Sequence, residues 1–443
     1  MLSKVSSRQI WNVAYPIIIG SIAQNVLNVT DTAFLGRLGE VALGGGVIGG
    51  LFYHVLLMIG WGMGLGGQII IARRYGESAN KAIGRVVEHL LYFLSFTSIL
   101  LILFVKFFSG NLLGLVVDSQ SIYHAGMEFI DYRIMGLVFA FINYSFNSFY
   151  VGIAKTKVIT ATTSLMVIVN VLLDYALIFG NWGFPKMGIA GAALASVIAE
   201  ATSCMAFIIF TRFKFDYSKY NLFRFASFRI KLMLRILSVS WPLMIQFFLS
   251  IFVWFVFFLF IEKMGETSLA VSNILRSIYI VLMIPIWGFS SATNTLVSQL
   301  IGQDRSKEVL NLIKKVIILS MTSVFVLGLI CISFPELIIR IYTNDALLVQ
   351  QALPVLNIVA FAAIGMAGAF VVFSGVSGTG NTKVSFAIEL GTLSIYLLWA
   401  FLMAIIFKMS LPWVWAAEIL YGILITSVSI LYLKSNRWVG KRV

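Results

Sequence analysis

Long apolar stretches recur along this chain of 443 residues and are separated by short polar segments. A stretch of about 18 apolar residues is long enough to cross a bilayer as a helix. Twelve such helices are predicted, near residues 9–35, 43–72, 85–108, 123–151, 157–180, 187–211, 231–262, 268–301, 309–333, 350–376, 384–407 and 411–434. A spanning helix satisfies its own backbone hydrogen bonds, as lipid requires. The pattern therefore predicts an all-α membrane protein with twelve transmembrane helices.

The second half of the chain repeats the first at a constant offset of 226 residues, without a gap from residue 16 to residue 158. The matches include Pro16 with Pro242, Gly39 with Gly265, Trp61 and Gly62 with Trp287 and Gly288, and Thr156 and Lys157 with Thr382 and Lys383. Internal repeats of this kind are typical of secondary transporters, whose substrate sites lie where the repeats meet. We expect two parallel six-helix repeats around a central cleft. They would form an ion-coupling N-lobe at 1–211, a cytoplasmic linker at 212–230 and a C-lobe at 231–443.

Composition and charge agree with this class of protein. Hydrophobic residues make up 60% of the chain and charged residues 11%, whereas soluble domains carry roughly 25% charged residues. The net charge is +14, but 24 of the 32 Lys and Arg residues fall on the side that holds both termini. Seven fall on the other side, Arg133 among them, and Arg276 lies within a span. By the positive-inside rule both termini are cytoplasmic, so the charge reflects topology and not nucleic-acid binding.

Pro16 and Pro242 lie at equivalent points in the first helix of each half. A proline removes one backbone hydrogen bond and kinks a helix. The pair is consistent with hinges that bend during transport, and static kinks are the alternative.

Most of the 18 acidic residues lie in loops or near helix ends, and the exceptions are Asp31, Asp174, Glu200 and Glu389. An ionisable group in a span is a functional candidate, because its burial is costly unless the group is paired or hydrated. Asp31 and Asp174 lie roughly 7 and 9 Å from the outer ends of their helices. Two carboxyl groups from different helices therefore lie at one level of the membrane.

Polar side chains accompany this acidic pair. Asn170 lies one turn before Asp174, and Ser196 shares a helix face with Glu200. Their oxygens suit Na⁺, and two neighbouring carboxylates in low dielectric would hold a shared proton. We predict that these four residues and Asp31 form an ion-coupling site, in which Asp31, Asn170 and Asp174 would be the ligands of a bound Na⁺. The alternative for Asp31 is a carboxylate that caps loop amides.

The repeat restricts this site to the first half. The residues equivalent to Asp31, Asn170 and Asp174 in the second half are apolar or aromatic, namely Phe257, Tyr396 and Ala400 in that order. A packing requirement common to both halves would be met by similar residues in both. The ion is therefore expected to be handled by the first half.

Three segments resemble the MATE (multidrug and toxic compound extrusion) family. They are NVTDTAFLGRLGEVALGG at 28–45, GQIIIARRYGE at 67–77 and NVLLDYALIFGNWGFPKMGIAGAALASVIAE at 170–200. The resemblance extends over essentially the whole chain, and it implies a bacterial antiporter of the cytoplasmic (inner) membrane. Such antiporters belong to the multidrug/oligosaccharidyl-lipid/polysaccharide exporter superfamily and use Na⁺ or H⁺ to export small amphiphilic, often cationic, compounds by alternating access. The resemblance also implies that Asp31, Asn170 and Asp174 match the family's first-lobe ion site, with Ser196 near a hydroxyl position.

The chain departs from this family pattern in two places. Some members carry a Glu eight residues after the helix 7 proline, where this chain has Ser250, and an Asp in helix 10, where no acid occurs between Gln350 and Phe373. A second-lobe cation site is therefore not expected. The usual Asp-Pro of helix 5 reads Asp174-Tyr175 here, which would change the local helix geometry.

Arg276 is the basic residue that the predicted spans place inside a helix. It could neutralise a substrate anion, or it could pair with Glu389 or Glu200. The alternative is an ion pair with a purely structural role. Methionine adapts to irregular shapes and aromatic rings attract cations. The candidates for contact with substrate are Met63, Tyr144, Asn147, Arg276 and Trp287.

Other functions fit the sequence less well. The three histidines are scattered, and no metalloprotease, nucleophile-elbow or phosphate-loop motif occurs. We therefore predict no enzyme activity and no cofactor beyond the coupling ion. The alternative is a flippase or exporter of a lipid-linked or anionic substrate, which would line its cleft with several cations. We expect a monomer that acts on small-molecule substrates in the lipid bilayer.

Overall fold

The computed structural model describes residues 5–225 and 227–440, and every regular element within them is helical. The helices of the first half are α1 (Ser7–Leu38), α2 (Glu40–Gly76), α3 (Asn80–Gly114), α4 (Gln120–Arg133), α5 (Gly136–Gly152), α6 (Lys157–Phe179) and α7 (Gly188–Phe213). Those of the second half are α8 (Ile230–Glu262), α9 (Glu266–Gly302), α10 (Val309–Ser333), α11 (Pro335–Arg340), α12 (Ala346–Gly378), α13 (Thr382–Phe401), α14 (Leu411–Trp415) and α15 (Ala417–Lys434). A π-helical turn, Leu402–Ile406, follows α13.

The described helices are long and apolar enough for eleven membrane spans, or for twelve when α4 and α5, which meet at a bend of 52°, count as one further span. The bend lies at residues 134 and 135, inside the single helix that the sequence predicts near 123–151. The prediction of an all-α fold with twelve spans is confirmed, with this one span broken.

The repeat is visible in the turns that follow the first helix of each half. Gly39 separates α1 from α2 with a φ of +114°, and Gly265 separates α8 from α9 with a φ of +112°. This backbone conformation is open to glycine and is strained for other residues. The match at offset 226 therefore reflects the same tight connection made twice.

The helices pack into two compact units whose boundaries differ from the predicted lobes. One unit runs from Ile19 to Met244, and the other comprises the chain up to Ile18 and from Ile245 onwards. The chain therefore changes unit inside α1 and inside α8, in each case two residues after the buried proline. The first part of each half's first helix packs in the unit built mainly from the other half.

Glycines in α2 and α9 make room for these first parts of α1 and α8, which we call the exchanged segments. A Cβ atom at Gly62 would collide with the backbone of Met244, and a Cβ atom at Gly288 would collide with the side chain of Ile18. Gly62 and Gly288 are equivalent at offset 226, and so are Ile18 and Met244. Each exchanged segment is thus held by the same close helix packing within its own unit.

The segment between the halves is held against α3. The backbone N–H of Phe225 donates to the Glu88 carboxylate at 2.8 Å, and the N–H of Arg229 donates to His89 Nε2 at 2.8 Å. The Phe228 ring stacks on the His89 ring with centroids 5.1 Å apart. The linker therefore has defined protein contacts on the unit that contains it.

Candidate functional site

The first-half unit brings together two carboxyl groups from different helices. Asp31 of α1 and Asp174 of α6 lie within hydrogen-bonding reach of each other. Asp174 is fully buried and its Oδ1 atom has no partner among the described residues, whereas Asp31 is half-buried. Two carboxyl groups can form a hydrogen bond with each other only when one of them carries a proton. The pair is therefore built to hold a shared proton or to bind a small cation between its oxygens.

Asn170 joins this pair one helical turn away. With its amide nitrogen turned towards the carboxyl groups, Asn170 donates to Asp31 Oδ1 at 3.0 Å and to Asp174 Oδ2 at 3.3 Å. The amide oxygen then accepts from Ser196 Oγ, 3.3 Å away on α7. Asn170 is fully buried. The structure thus places four of the five predicted site residues, Asp31, Asn170, Asp174 and Ser196, in one connected cluster.

The fifth residue, Glu200, is held separately by Arg133. The two side chains form a bidentate ion pair, with Arg133 Nη2 2.6 Å from Oε1 and Nη1 2.9 Å from Oε2. Only 13% of the arginine and 12% of the glutamate side chain are exposed. Tyr53 OH donates to Glu200 Oε2 at 3.1 Å, and its ring lies 3.8 Å from the guanidinium carbon. Because its charge is neutralised inside the protein, Glu200 is an ion-pair partner here and not a free ligand beside Asp174.

The ion pair lies beside the helix break between α4 and α5. Arg133 is the last residue of α4, directly before the bend, and its side chain is largely buried. At Gly136, the first residue of α5, a Cβ atom would collide with both the Glu200 carboxylate and the Arg133 guanidinium. The sequence count placed Arg133 on the outer side of the membrane, and the structure adds that its side chain is largely buried against Glu200. The signal that could have found it was Glu200, a carboxylate in an apolar helix that needed a cation.

Arg276 differs from its prediction. It is exposed, and its guanidinium carbon lies 5.3 Å from the centroid of the Phe258 ring. None of the ion pairs among the described residues includes Arg276. The suggested pairing with Glu200 is wrong, because Glu200 pairs with Arg133, and Glu389 accepts hydrogen bonds from hydroxyl groups instead.

The remaining candidates for substrate contact differ in burial. Met63 is fully buried and its carbonyl oxygen accepts from Ser240 Oγ at 3.4 Å. Tyr144 and Asn147 are half-buried on α5, and Asn147 Oδ1 has no partner among the described residues. Trp287 is 42% exposed. Met63, Tyr144 and Asn147 belong to the unit from Ile19 to Met244, whereas Arg276 and Trp287 belong to the other.

Comparison with known proteins places this architecture in a family. The MatE family model matches residues 16–176 and 242–402, two segments that are offset by the same 226 residues as the repeat. A Thermotoga maritima protein named as a probable multidrug resistance protein NorM is 25% identical over 442 residues, which cover 98% of this chain and 94% of that protein. The Bacillus subtilis protein named as probable multidrug resistance protein YoeA is 23% identical over 306 residues, which cover 67% of this chain and 65% of that one.

Solved structures share the fold. An outward-facing MATE transporter of the MOP superfamily has a TM-score of 0.90 at 17% identity, covering 98% of this chain and 97% of that chain. A MOP superfamily transporter from Pyrococcus furiosus has a TM-score of 0.86 at 17% identity, covering 97% of this chain and 95% of that chain. The chain therefore belongs to the MATE family, and it is a multi-pass membrane transporter and not an enzyme.

Proposed function

We propose that this protein is an antiporter that exchanges Na⁺ or H⁺ for small amphiphilic, often cationic, organic compounds and so exports them. The observation that carries the proposal is the buried contact between Asp31 and Asp174, with Asn170 hydrogen-bonded to both. A carboxyl pair in a span is a costly arrangement that binding of a proton or cation relieves. The names of its relatives as probable multidrug resistance proteins support an exported substrate of this class.

Asn170 gives each coupling ion a distinct arrangement. With its nitrogen towards the carboxyl groups, the amide donates to them, which suits a pair that shares one proton. A bound Na⁺ would require oxygen ligands. These would be the two carboxylates, including the buried Asp174 Oδ1, and the oxygen of an Asn170 amide turned towards them. The residues present therefore fit either ion. Ser196 can donate to one orientation of the amide and accept from the other.

Exchange would follow from neutralisation of the pair. A proton or Na⁺ that enters the cluster removes the repulsion between Asp31 and Asp174, and its departure restores the charge. Arg133 interacts electrostatically with Asp31, but its two strong hydrogen bonds hold it on Glu200. In this proposal Glu200 keeps Arg133 from neutralising Asp31 permanently, which leaves the carboxyl pair available to the ion. Residues 1–211 would provide the ion coupling, as a monomer with both termini cytoplasmic.

Alternating access requires parts of the molecule to move, and the two prolines are the proposed hinges. Pro16 and Pro242 each lie two residues before the point at which the chain changes unit. A helix that lacks a backbone hydrogen bond bends there at lower cost than elsewhere. The equivalent placement in α1 and α8 supports paired hinges.

A second candidate is export of an anionic or lipid-linked substrate. The guanidinium of Arg276 is exposed and has an aromatic ring, not a carboxylate, as its described neighbour. The Pyrococcus furiosus transporter has been described as having a binding pocket of reverse polarity that suggests a different function. A fixed positive charge would attract an anionic group, so Arg276 is the residue that separates the two candidates.

Transport from proteoliposomes tests the proposal. A Na⁺ gradient and a pH gradient are imposed separately while efflux of a cationic dye is followed. We expect efflux to follow one of the gradients and to fall to the leak rate in Asp31→Asn. Asp131→Asn is the matched control, because Asp131 is an exposed partner of Lys106 with 53% of its side chain accessible.

Two results would contradict the proposed coupling site or the proposed substrate class. Wild-type efflux by Asp31→Asn would contradict the carboxyl pair as the coupling site. If no gradient drives the cationic dye, but an anionic amphiphile is transported and loses its transport in Arg276→Gln, the second candidate replaces the first.

A further inference from the structure

The second half contains a buried acidic network of its own. Glu389 of α13 is 3% exposed and Glu418 of α15 is 2% exposed. Each carboxylate accepts from hydroxyl groups of neighbouring helices, and together they involve α8, α9, α13 and α15. Both residues lie in the unit that runs from Ile245 onwards. None of these positions belongs to the first-half cluster around Asp31.

The hydroxyl groups are distributed unevenly over the four carboxylate oxygens. Glu418 accepts at both oxygens, from Tyr279 OH at 2.9 Å and from Tyr396 OH at 3.0 Å. Glu389 accepts twice at Oε1, from Ser250 Oγ at 3.0 Å and from Tyr421 OH at 2.9 Å. Its second oxygen, Oε2, is buried and has no partner among the described residues.

The internal repeat shows what this network lacks. Tyr53 and Tyr279 are equivalent at offset 226, and each donates to a buried glutamate of its own half. In the first half Arg133 neutralises that glutamate. The residue equivalent to Arg133 is Val359, which is apolar and fully buried. In the second half the equivalent tyrosine donates to Glu418, and an apolar residue stands at the position of the cation.

No described ion pair supplies the missing charge. The ion pairs among the described residues of this unit are Arg305 with Glu308 and Arg340 with Glu336, so neither buried glutamate takes part in one. Hydroxyl donors satisfy hydrogen bonds but leave the net charge in place. A buried carboxylate without a cation is costly, and binding of a proton or a cation relieves that cost.

We propose that Glu389 binds a proton or a monovalent cation at Oε2. This would be a second ion site, in the half for which the sequence predicts none. Ser250 and Tyr421 fix the carboxylate through its other oxygen, and Glu418 with its two tyrosines completes the site. The rings of Tyr396 and Tyr421, 5.9 Å apart, connect the two carboxylates. A divalent metal ion is not favoured, because the described residues hold no group of three or more acidic, His or Cys ligands.

The comparison of equivalent positions could not reveal this site. Glu389 aligns with Thr163, a hydroxyl residue, and Glu418 lies beyond the region in which the register is constant. The site also differs from the family positions that this chain lacks, since Ser250 contributes a hydroxyl group and α12 contributes no acid. In the binding step, Oε2 either takes a proton from a hydronium ion and releases water, or replaces a water molecule in the shell of a hydrated monovalent cation.

Infrared difference spectroscopy of the purified full-length protein tests this site without transport. Asp31→Asn/Asp174→Asn serves as the background, so that the first-half pair contributes no signal and a failure of the proposed antiport is a separate matter. We expect a band from a protonated carboxyl group that disappears as the pH rises and that is absent after Glu389→Gln. Glu336→Gln is the control, because Glu336 is an exposed carboxylate of the same unit with 59% of its side chain accessible.

The salt in the buffer distinguishes the two ions. If NaCl at constant ionic strength, but not choline chloride, removes the band, the site takes Na⁺ in competition with the proton; if neither salt removes it, the site takes the proton. As a second variant that keeps the carboxyl group, Tyr421→Phe removes one donor to Oε1 and should move the midpoint of the band by roughly one pH unit. An unchanged band in both Glu389→Gln and Tyr421→Phe would overturn the proposal.

Discussion

At the scale of single residues, the first half stabilises its acidic side chains in two different ways. Glu200 is neutralised by Arg133 through two short hydrogen bonds. Asp31 and Asp174 have each other and the neutral Asn170 amide as near partners. A buried ion pair is fixed, whereas a carboxyl pair changes its charge when an ion enters or leaves. Only the second arrangement could serve the exchange that we propose.

The ion pair makes a quantitative prediction. Arg133→Met should lower the free energy of unfolding by about 3–5 kcal/mol, because Glu200 is left buried without a cation. The double variant Arg133→Met/Glu200→Met should recover most of that loss, because no charge remains to be buried. The measurement is thermal unfolding of the purified protein in detergent.

An exposed ion pair provides the control for this cycle. Lys106→Met removes the partner of Asp131, and the two side chains are 38% and 53% exposed. Its effect should stay within about 1 kcal/mol. If Arg133→Met is no more harmful than Lys106→Met, the buried pair is not holding Glu200 as described.

At the scale of helices, apolar length was sufficient to predict where spans occur, since each predicted stretch corresponds to a described helix or helix pair. The break between α4 and α5 was not predictable in the same way. Residues 134 and 135 are apolar, and the ion pair that packs beside Gly136 joins residues far apart in the sequence. Tertiary contacts of this kind leave no local signal in the sequence.

The same limit applies to the sites. Asp31, Asn170 and Asp174 stood out because polar residues in an apolar span have few structural explanations. Their mutual contact follows from positions on helices, which the sequence also gives. The network of Glu389 and Glu418 uses tyrosine hydroxyls from α9, α13 and α15, and tyrosines in a span are too common to indicate such a network. The contacts that the sequence did not reveal are those that depend on which helices are neighbours.

At the two equivalent glycines, helix packing predicts that a second substitution restores stability to different extents. Gly288→Ala and Gly62→Ala should both lower the melting temperature, because each new Cβ atom enters occupied space. Ile18→Ala should restore Gly288→Ala in large part, since the collision is with a side chain. Met244→Ala should restore Gly62→Ala far less, since that collision involves backbone atoms.

Melting curves of the four variants and two double variants measure this difference. Gly391→Ala is a suitable control, because a Cβ atom there would meet nothing within 4 Å. Equal rescue in both halves would show that the exchanged segment of α8 can shift away from Gly62.

At the scale of the whole molecule, the chain is divided between its two units in an unusual order. It changes unit after Ile18 and again after Met244, and both points lie within continuous helices. The linker that joins the two sequence halves lies wholly inside one unit. The duplicated sequence and the compact units therefore have different borders.

This arrangement has a consequence for a protein cut in two. Cleavage in the linker near Arg224 would give two polypeptides, each of which still supplies helices to both units. The fragments should stay together without a covalent bond, because separation would expose the packing of both Ile18 and Met244. A protein nicked by trypsin and purified in detergent through a tag on one fragment should therefore carry the other fragment with it. Recovery of the tagged fragment alone would show that these shared helices do not hold the molecule together. Recovery of both fragments would mean that the transporter could be produced as two separate chains that associate.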